Sequence, residues 1–249
     1  MSRENRSPSE STVLVTPVWN DSRRLASYGN ELAQTLADAG SSIRWLVADD
    51  GSSDAEIAAL ETLVARFAET YPHVKLYKAA EHHGKGSVIR EAWASEPDAD
   101  WLAFVDADGS LPPTNTLQLI HEAWKGDNSL LGIRKRTEET TIVESFGRSI
   151  AHHLFIFATR LLVGLRCSDP QCGAKVLRGS HYREIAGRLV EPGLAFDSEL
   201  LATMANEGVT WREQPVTWLE KPGGLVRPTR DAWPMLAALI RIRARLKKA

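Results

Sequence analysis

Short apolar runs alternate with amphipathic stretches through the first half of the chain. Residues 12–16 are a β-branched apolar run that halts at Pro17, the pattern of a buried parallel strand. Residues 25–39 carry apolar side chains at helical spacing and end at Gly40, a helix stop signal. A second strand is predicted over 42–48, and a helix over 55–70 with Asp54 placed to cap it. Strands follow at 74–78 and 101–105, with a helix over 87–95 between them. This βαβαβαβ order predicts an α/β fold with a mostly parallel central sheet and helices on both faces.

The second half is less regular. Strands are predicted at 130–133, 172–177 and 216–219, and helices at 143–163, 197–206 and 231–248. Neither a repeat nor a linker interrupts the pattern. The organisation expected is a disordered polar tail over 1–11, one domain over 12–230, and a basic amphipathic helix over 231–249.

Composition narrows the class. Hydrophobic residues at 43% and charged residues at 25% are ordinary for a globular chain, and a net charge of −2 gives no reason to expect nucleic acid. Two cysteines, Cys167 and Cys172, suit a reducing cytoplasm and offer no zinc-site spacing. No apolar run reaches the roughly 18 residues a spanning helix needs. The last helix mixes Trp233, Leu236, Leu239, Ile240 and Ile242 with Arg241, Arg243 and Arg245. Two readings fit it: docking on the cytoplasmic face of an anionic membrane, or packing on its own domain with a solvated basic side.

In parallel α/β sheets, ligands gather beyond the C-terminal strand ends. Three polar clusters fall there: 17–21, 49–54 and 106–110. If extended geometry persists, Asp106 and Asp108 leave the same face, and two such carboxylates call for a hard cation, Mg²⁺ or Mn²⁺; the other reading is a loop of Asp caps and turn residues, with Gly109 and Pro112-Pro113 behind it. Asp50, beside Gly51, is the candidate acceptor for a base imide, and Trp19 is either a stacking plate or a core side chain. Lys85, in His82-His83-Gly84-Lys85-Gly86, precedes a helix where it meets phosphate; the spacing is not that of a Walker A loop. Arg134, Lys135 and Arg136 form a basic knot that suits a second anionic ligand or a solvated loop. Asp197 and Glu199 open a helix, as dipole partners or as a general base.

In this order the clusters resemble the family-2 glycosyltransferases of the GT-A fold, a Rossmann-like nucleotide-sugar-binding domain. The resemblance rests on Thr16-Pro17-Val18-Trp19-Asn20-Asp21, Asp49-Asp50-Gly51-Ser52, Gly84-Lys85-Gly86 and Asp106-Ala107-Asp108. Gly132-Ile133-Arg134, Ser168-Asp169-Pro170-Gln171-Cys172-Gly173, and Ala195-Phe196-Asp197-Ser198-Glu199 are similar to dolichyl-phosphate and polyprenyl-phosphate glucosyltransferases. The resemblance implies that Pro17, Trp19, Asp21 and Asp50 hold the nucleoside of a UDP-sugar. It implies that Asp106, Ala107 and Asp108, with Ser110, hold the metal-bound diphosphate. Arg134, Arg136, Gln171 and Asp197 then belong to the acceptor side, with Arg134 facing a lipid phosphate whose direct attack inverts the sugar. A soluble transferase with a small acceptor, and a non-catalytic nucleotide-sugar-binding protein, are the alternatives.

Overall fold

A computed structural model of the chain describes residues 10–221 and 228–247. Most of the tail expected over 1–11 lies outside the described residues, but its last two positions are anchored. Glu10 accepts hydrogen bonds from Trp101 Nε1 (2.7 Å) and Arg178 Nη1 (3.0 Å). The Ser11 N–H donates to Asp100 Oδ2 (2.9 Å).

The chain runs β1 (Thr12–Val18), α1 (Ser22–Asp38), β2 (Arg44–Asp49), α2 (Asp54–Thr70), β3 (Val74–Lys78), α3 (Lys85–Ala94) and β4 (Trp101–Val105). It continues with α4 (Pro113–Trp124), β5 (Ser129–Ile133), β6 (Ile142–Val143), α5 (Phe146–Val163) and β7 (Ala174–Arg178). The last elements are α6 (Gly179–Ile185), α7 (Phe196–Asn206), β8 (Trp211–Pro215), β9 (Trp218–Leu219) and α8 (Pro228–Leu246).

The main sheet has the order β3-β2-β1-β4-β7-β5-β8, with β6 and β9 forming a small second ladder. β7 alone is antiparallel to its neighbours β4 and β5. Its N-terminal end therefore stands at the same sheet edge as the C-terminal ends of β1, β2, β4 and β5. Alternate strand residues feed two cores. Leu14, Trp45, Val47, Trp101 and Ala103 pack with α1, α2 and α4. Val13, Val15, Leu46, Leu102 and Phe104 pack with α3, α6 and α7 on the opposite face. A third cluster joins α5, α7 and α8.

Several boundaries differ from the sequence reading. β1 runs through Pro17 to Val18, because its pairing with β4 ends at Val15 while pairing with β2 continues. The donor that Pro17 lacks thus costs no ladder bond on the β4 side. Ser53, not Asp54, is the residue before α2; Asp54 is helical and sits with Glu56 in the first turn, near the positive end of the helix dipole. Pro112-Pro113, read as loop, opens α4, where proline at the first helical position is favourable.

Candidate functional site

At the β1 and β2 ends the backbone is knitted by Asn20, which holds a left-handed φ of 47°. Its N–H donates to Ser52 Oγ (2.8 Å), and its Oδ1 accepts from the Ser53 N–H (3.0 Å). This presents Trp19 at the surface, 39% exposed, stacked on His82 at 4.0 Å and 15°. Trp19 is therefore no core residue.

Asp50, expected as an imide acceptor, is engaged within the fold by its own backbone neighbours. Its carboxylate accepts from the backbone N–H of His83 (3.1 Å) and Gly84 (2.8 Å), with His82 Nδ1 also 2.8 Å away. Buried and engaged by two backbone donors beside the His82 ring, it shapes the 82–84 loop that delivers Lys85. Gly84 is required there: its φ is 113°, and a Cβ would lie 2.8 Å from the Pro192 carbonyl oxygen.

Lys85 is the centre of a line of alternating charges. Its Nζ lies 2.8 Å from Asp106 Oδ1 and 3.2 Å from Asp197 Oδ2, and Lys175 Nζ lies 2.5 Å from Asp197 Oδ1. Lys175 is fully buried and also donates to the Cys172 carbonyl (2.8 Å). Burial pushes Asp197 upward, but Lys175 and Lys85 outweigh it and leave its pKa below the ordinary value. A carboxylate so enclosed by two ammonium groups is no general base, which corrects that reading of Asp197. Asp106 moves the other way: burial raises its pKa, with Lys85 opposing and Asp108 adding to the rise. Its side chain lies over Gly173, where a Cβ would come within 2.1 Å of Asp106 Oδ2.

Asp108 is only partly committed. Its Oδ1 accepts from the Ser110 N–H (2.8 Å), and its Oδ2 lies 3.9 Å from Arg24. Ser110 is buried and contributes that backbone donor. Arg24 is paired with Asp21, so the guanidinium ties Asp21 to the mouth of the Asp106–Asp108 loop. Among the described residues no group of three or more His, Cys, Asp or Glu could enclose a metal ion. Two carboxylates do fit an Mg²⁺- or Mn²⁺-like ion that takes its remaining ligands from a diphosphate.

At the β5 end, Arg134 is not a free cation facing an acceptor. Its Nε lies 2.7 Å from Asp169 Oδ2, its Nη2 lies 2.9 Å from Asp169 Oδ1, and its backbone N–H donates to the same carboxylate (3.0 Å). It also donates to His152 Nδ1 (2.9 Å) and lies 5.1 Å over the Trp218 ring. Burial opposes the charge, but Asp169 more than compensates and raises the Arg134 pKa. This bidentate pair braces the site edge and fixes the orientation of the guanidinium. Arg136 is exposed and donates to the Ile142 carbonyl (3.0 Å), beside an exposed Lys135. Gln171 donates to Ser198 Oγ (3.1 Å) at the start of α7.

Sequence reasoning missed Arg24, Lys175 and the role of Asp169. Each carried a signal. Arg24 places a cation in the first turn of a helix, where the dipole disfavours it, and Lys175 interrupts an apolar strand.

Known proteins resemble this chain in sequence and in fold. The profile of Glycosyl transferase family 2 matches residues 14–185. Glycosyltransferase AglJ of Haloferax volcanii is 23% identical over 244 residues, covering 93% of this chain and 72% of that protein. Glucosyl-3-phosphoglycerate synthase from Mycobacterium tuberculosis, solved with Mn²⁺, UDP and phosphoglyceric acid, superposes with a TM-score of 0.69 at 18% identity. The match covers 96% of this chain and 79% of that one. Mannosyl-3-phosphoglycerate synthase from Rubrobacter xylanophilus gives 0.66 at 18% identity, covering 95% and 73%. With the strand order, the polar strand ends and a family match over more than half its length in hand, this GT-A-type α/β chain belongs to glycosyl transferase family 2.

Proposed function

We propose that the protein transfers a hexose, with inversion, from a UDP-sugar to a small phosphate-bearing acceptor, and that it does so with Mg²⁺ or Mn²⁺. The observation that carries this reading is the pair Asp106 and Asp108 at the C-terminal end of β4, one clamped by Lys85 and the other partly open. A divalent ion bound there supplies charge neutralisation for the leaving diphosphate. Asp106 and Asp108 would hold it, and Lys85 and Arg24 keep the two carboxylates in place. Trp19 offers its exposed ring to the base.

The acceptor side follows from how Asp197 is engaged. Asp197 is enclosed by two lysines, so an acceptor whose attacking oxygen is already ionised suits the site better than one that needs deprotonation. Exposed Lys135 and Arg136 offer positive charge at the same sheet edge. The phosphoglyceric acid held by the Mycobacterium tuberculosis structure supports a small anionic acceptor. A second reading, transfer to a lipid phosphate, is favoured by one observation: the apolar face of α5, which follows closely on the 134–141 loop.

The test is UDP release from UDP-glucose with Mn²⁺, supplied in parallel with 3-phosphoglycerate and with polyprenyl phosphate in detergent. The first acceptor is expected to accelerate release, and Asp108→Ala to lower it by about 100-fold or more, in line with loss of a transition-state charge contact. Acceleration by the lipid alone selects the second reading. UDP binding without transfer to either acceptor, or full activity in Asp108→Ala, overturns the proposal.

A further inference from the structure

Helix α5 carries an apolar stripe that no described residue covers. Phe146, Ile150, Leu154, Phe157 and Leu161 recur at spacings of four, four, three and four, so they share one face, and they are 46–82% exposed. A different face of the same helix, through Phe155, Ala158, Leu162 and Val163, joins the cluster shared with α8. α8 adds two more large exposed side chains, Trp233 at 78% and Ile240 at 59%. An apolar face of this extent on a folded chain marks an interaction site.

Charge identifies the partner. α5 contains no aspartate or glutamate. Arg160 and Arg166 on and after α5, and Arg243 and Lys247 in and after α8, are exposed and form no ion pair among the described residues. Arg241 and Arg245, by contrast, are spent on Glu191 and Glu199 inside the fold. At the C-terminal end of the stripe, Arg160 and Arg166 line a cavity of about 310 Å³ with Cys167 and Ser168. A second copy packed on this face about a two-fold axis would bring like cations together, because such an interface repeats the same patch on both sides. A negatively charged lipid surface satisfies the apolar and the basic side chains at once.

We propose that the α5–α8 face docks on an anionic bilayer. Its aromatic and aliphatic side chains enter the acyl boundary, and Arg160 and Arg166 meet headgroup phosphates. Among the described residues no helix is long and apolar enough to cross a membrane, so the contact lies in the plane of the surface. The inference holds whether the sugar acceptor is a lipid or a small molecule.

Co-sedimentation with vesicles tests it on the full chain, with no donor or acceptor present, so that the outcome is independent of turnover. Vesicles of phosphatidylcholine doped with phosphatidylglycerol are expected to bind the protein, and pure phosphatidylcholine to leave it in the supernatant. Arg160→Gln and Arg166→Gln should each weaken binding about fivefold. Leu154→Asp with Phe157→Asp should abolish it while the melting temperature holds. The two arginine variants keep the test decisive if the double aspartate variant unfolds. Failure to bind the anionic vesicles, or equal binding to neutral ones, overturns the proposal. So does a dimer in light scattering that the aspartate variant dissociates, since a second copy would then be what covers the stripe.

Discussion

Lys85 and Lys175 illustrate how much one side chain carries in this fold. Each stands beside Asp197, which is buried, and Lys175 is fully enclosed. Removing Lys175 leaves buried Asp197 with Lys85 alone, a cation it shares with Asp106. Lys175→Met is therefore expected to cost about 3–5 kcal/mol in urea unfolding. Gly173→Ala acts on the same line from the opposite side, through a Cβ placed almost on Asp106. It should lower turnover by more than its stability loss, about 1–3 kcal/mol, would account for at assay temperature. Kinetics and melting measured on one preparation separate the two effects. His152 gives a pH signature: burial, then the neighbouring Arg134 guanidinium, lowers its pKa. A group whose folded pKa is depressed stabilises the fold fully above its unfolded value, about 6.5, and less as the pH falls below it toward the folded pKa. The melting temperature of the native protein should thus drop more steeply below that pH than that of His152→Gln.

At the level of elements, most strands and helices with a clear apolar period were legible in the sequence, and β8 and α4 were missed for different reasons. β3 and β4 match the hydropathy pattern residue for residue. β8 did not announce itself because it is an edge strand paired only with β5, and Trp211-Arg212-Glu213-Gln214-Pro215 has little apolar surface to bury. α4 was hidden by its opening prolines. The site shows the same division. Local motifs singled out Asp50, Lys85, Asp106 and Arg134, and all four stand at one sheet edge. Their partners were not legible, because Asp169 meets Arg134, and Asp197 meets Lys85, only through the tertiary fold. The docking of α8 is a further case. Burial opposes ionisation of Glu191, yet Arg241 and Arg245 hold its pKa below the ordinary value. Arg245→Ala removes one of these partners and leaves buried Glu199 without its closest cation. It should lower the melting temperature by a few degrees, corresponding to about 1–2 kcal/mol given the partial exposure of the arginine.

For the whole molecule, nucleotide, metal and fold should be thermodynamically linked. UDP at about 100 times its Kd is expected to stabilise the native chain by roughly 2.7 kcal/mol. If Asp106 and Asp108 share the ion with the diphosphate, that gain should shrink when Mn²⁺ is withdrawn and in Asp108→Ala. Differential scanning fluorimetry reads both arms. The reversed strand β7 has a consequence of its own. It separates β3-β2-β1-β4, whose ends carry Trp19, Asp50 and the Asp106 loop, from β5 and β8, whose surroundings include Arg134 and Lys135. Gly173, beside the first residue of β7, is where the two territories touch, so the strand works as a fixed seam between interchangeable panels. Grafting the 134–141 loop of another family member onto this chain should then change which acceptor is used and leave affinity for the nucleotide as it was.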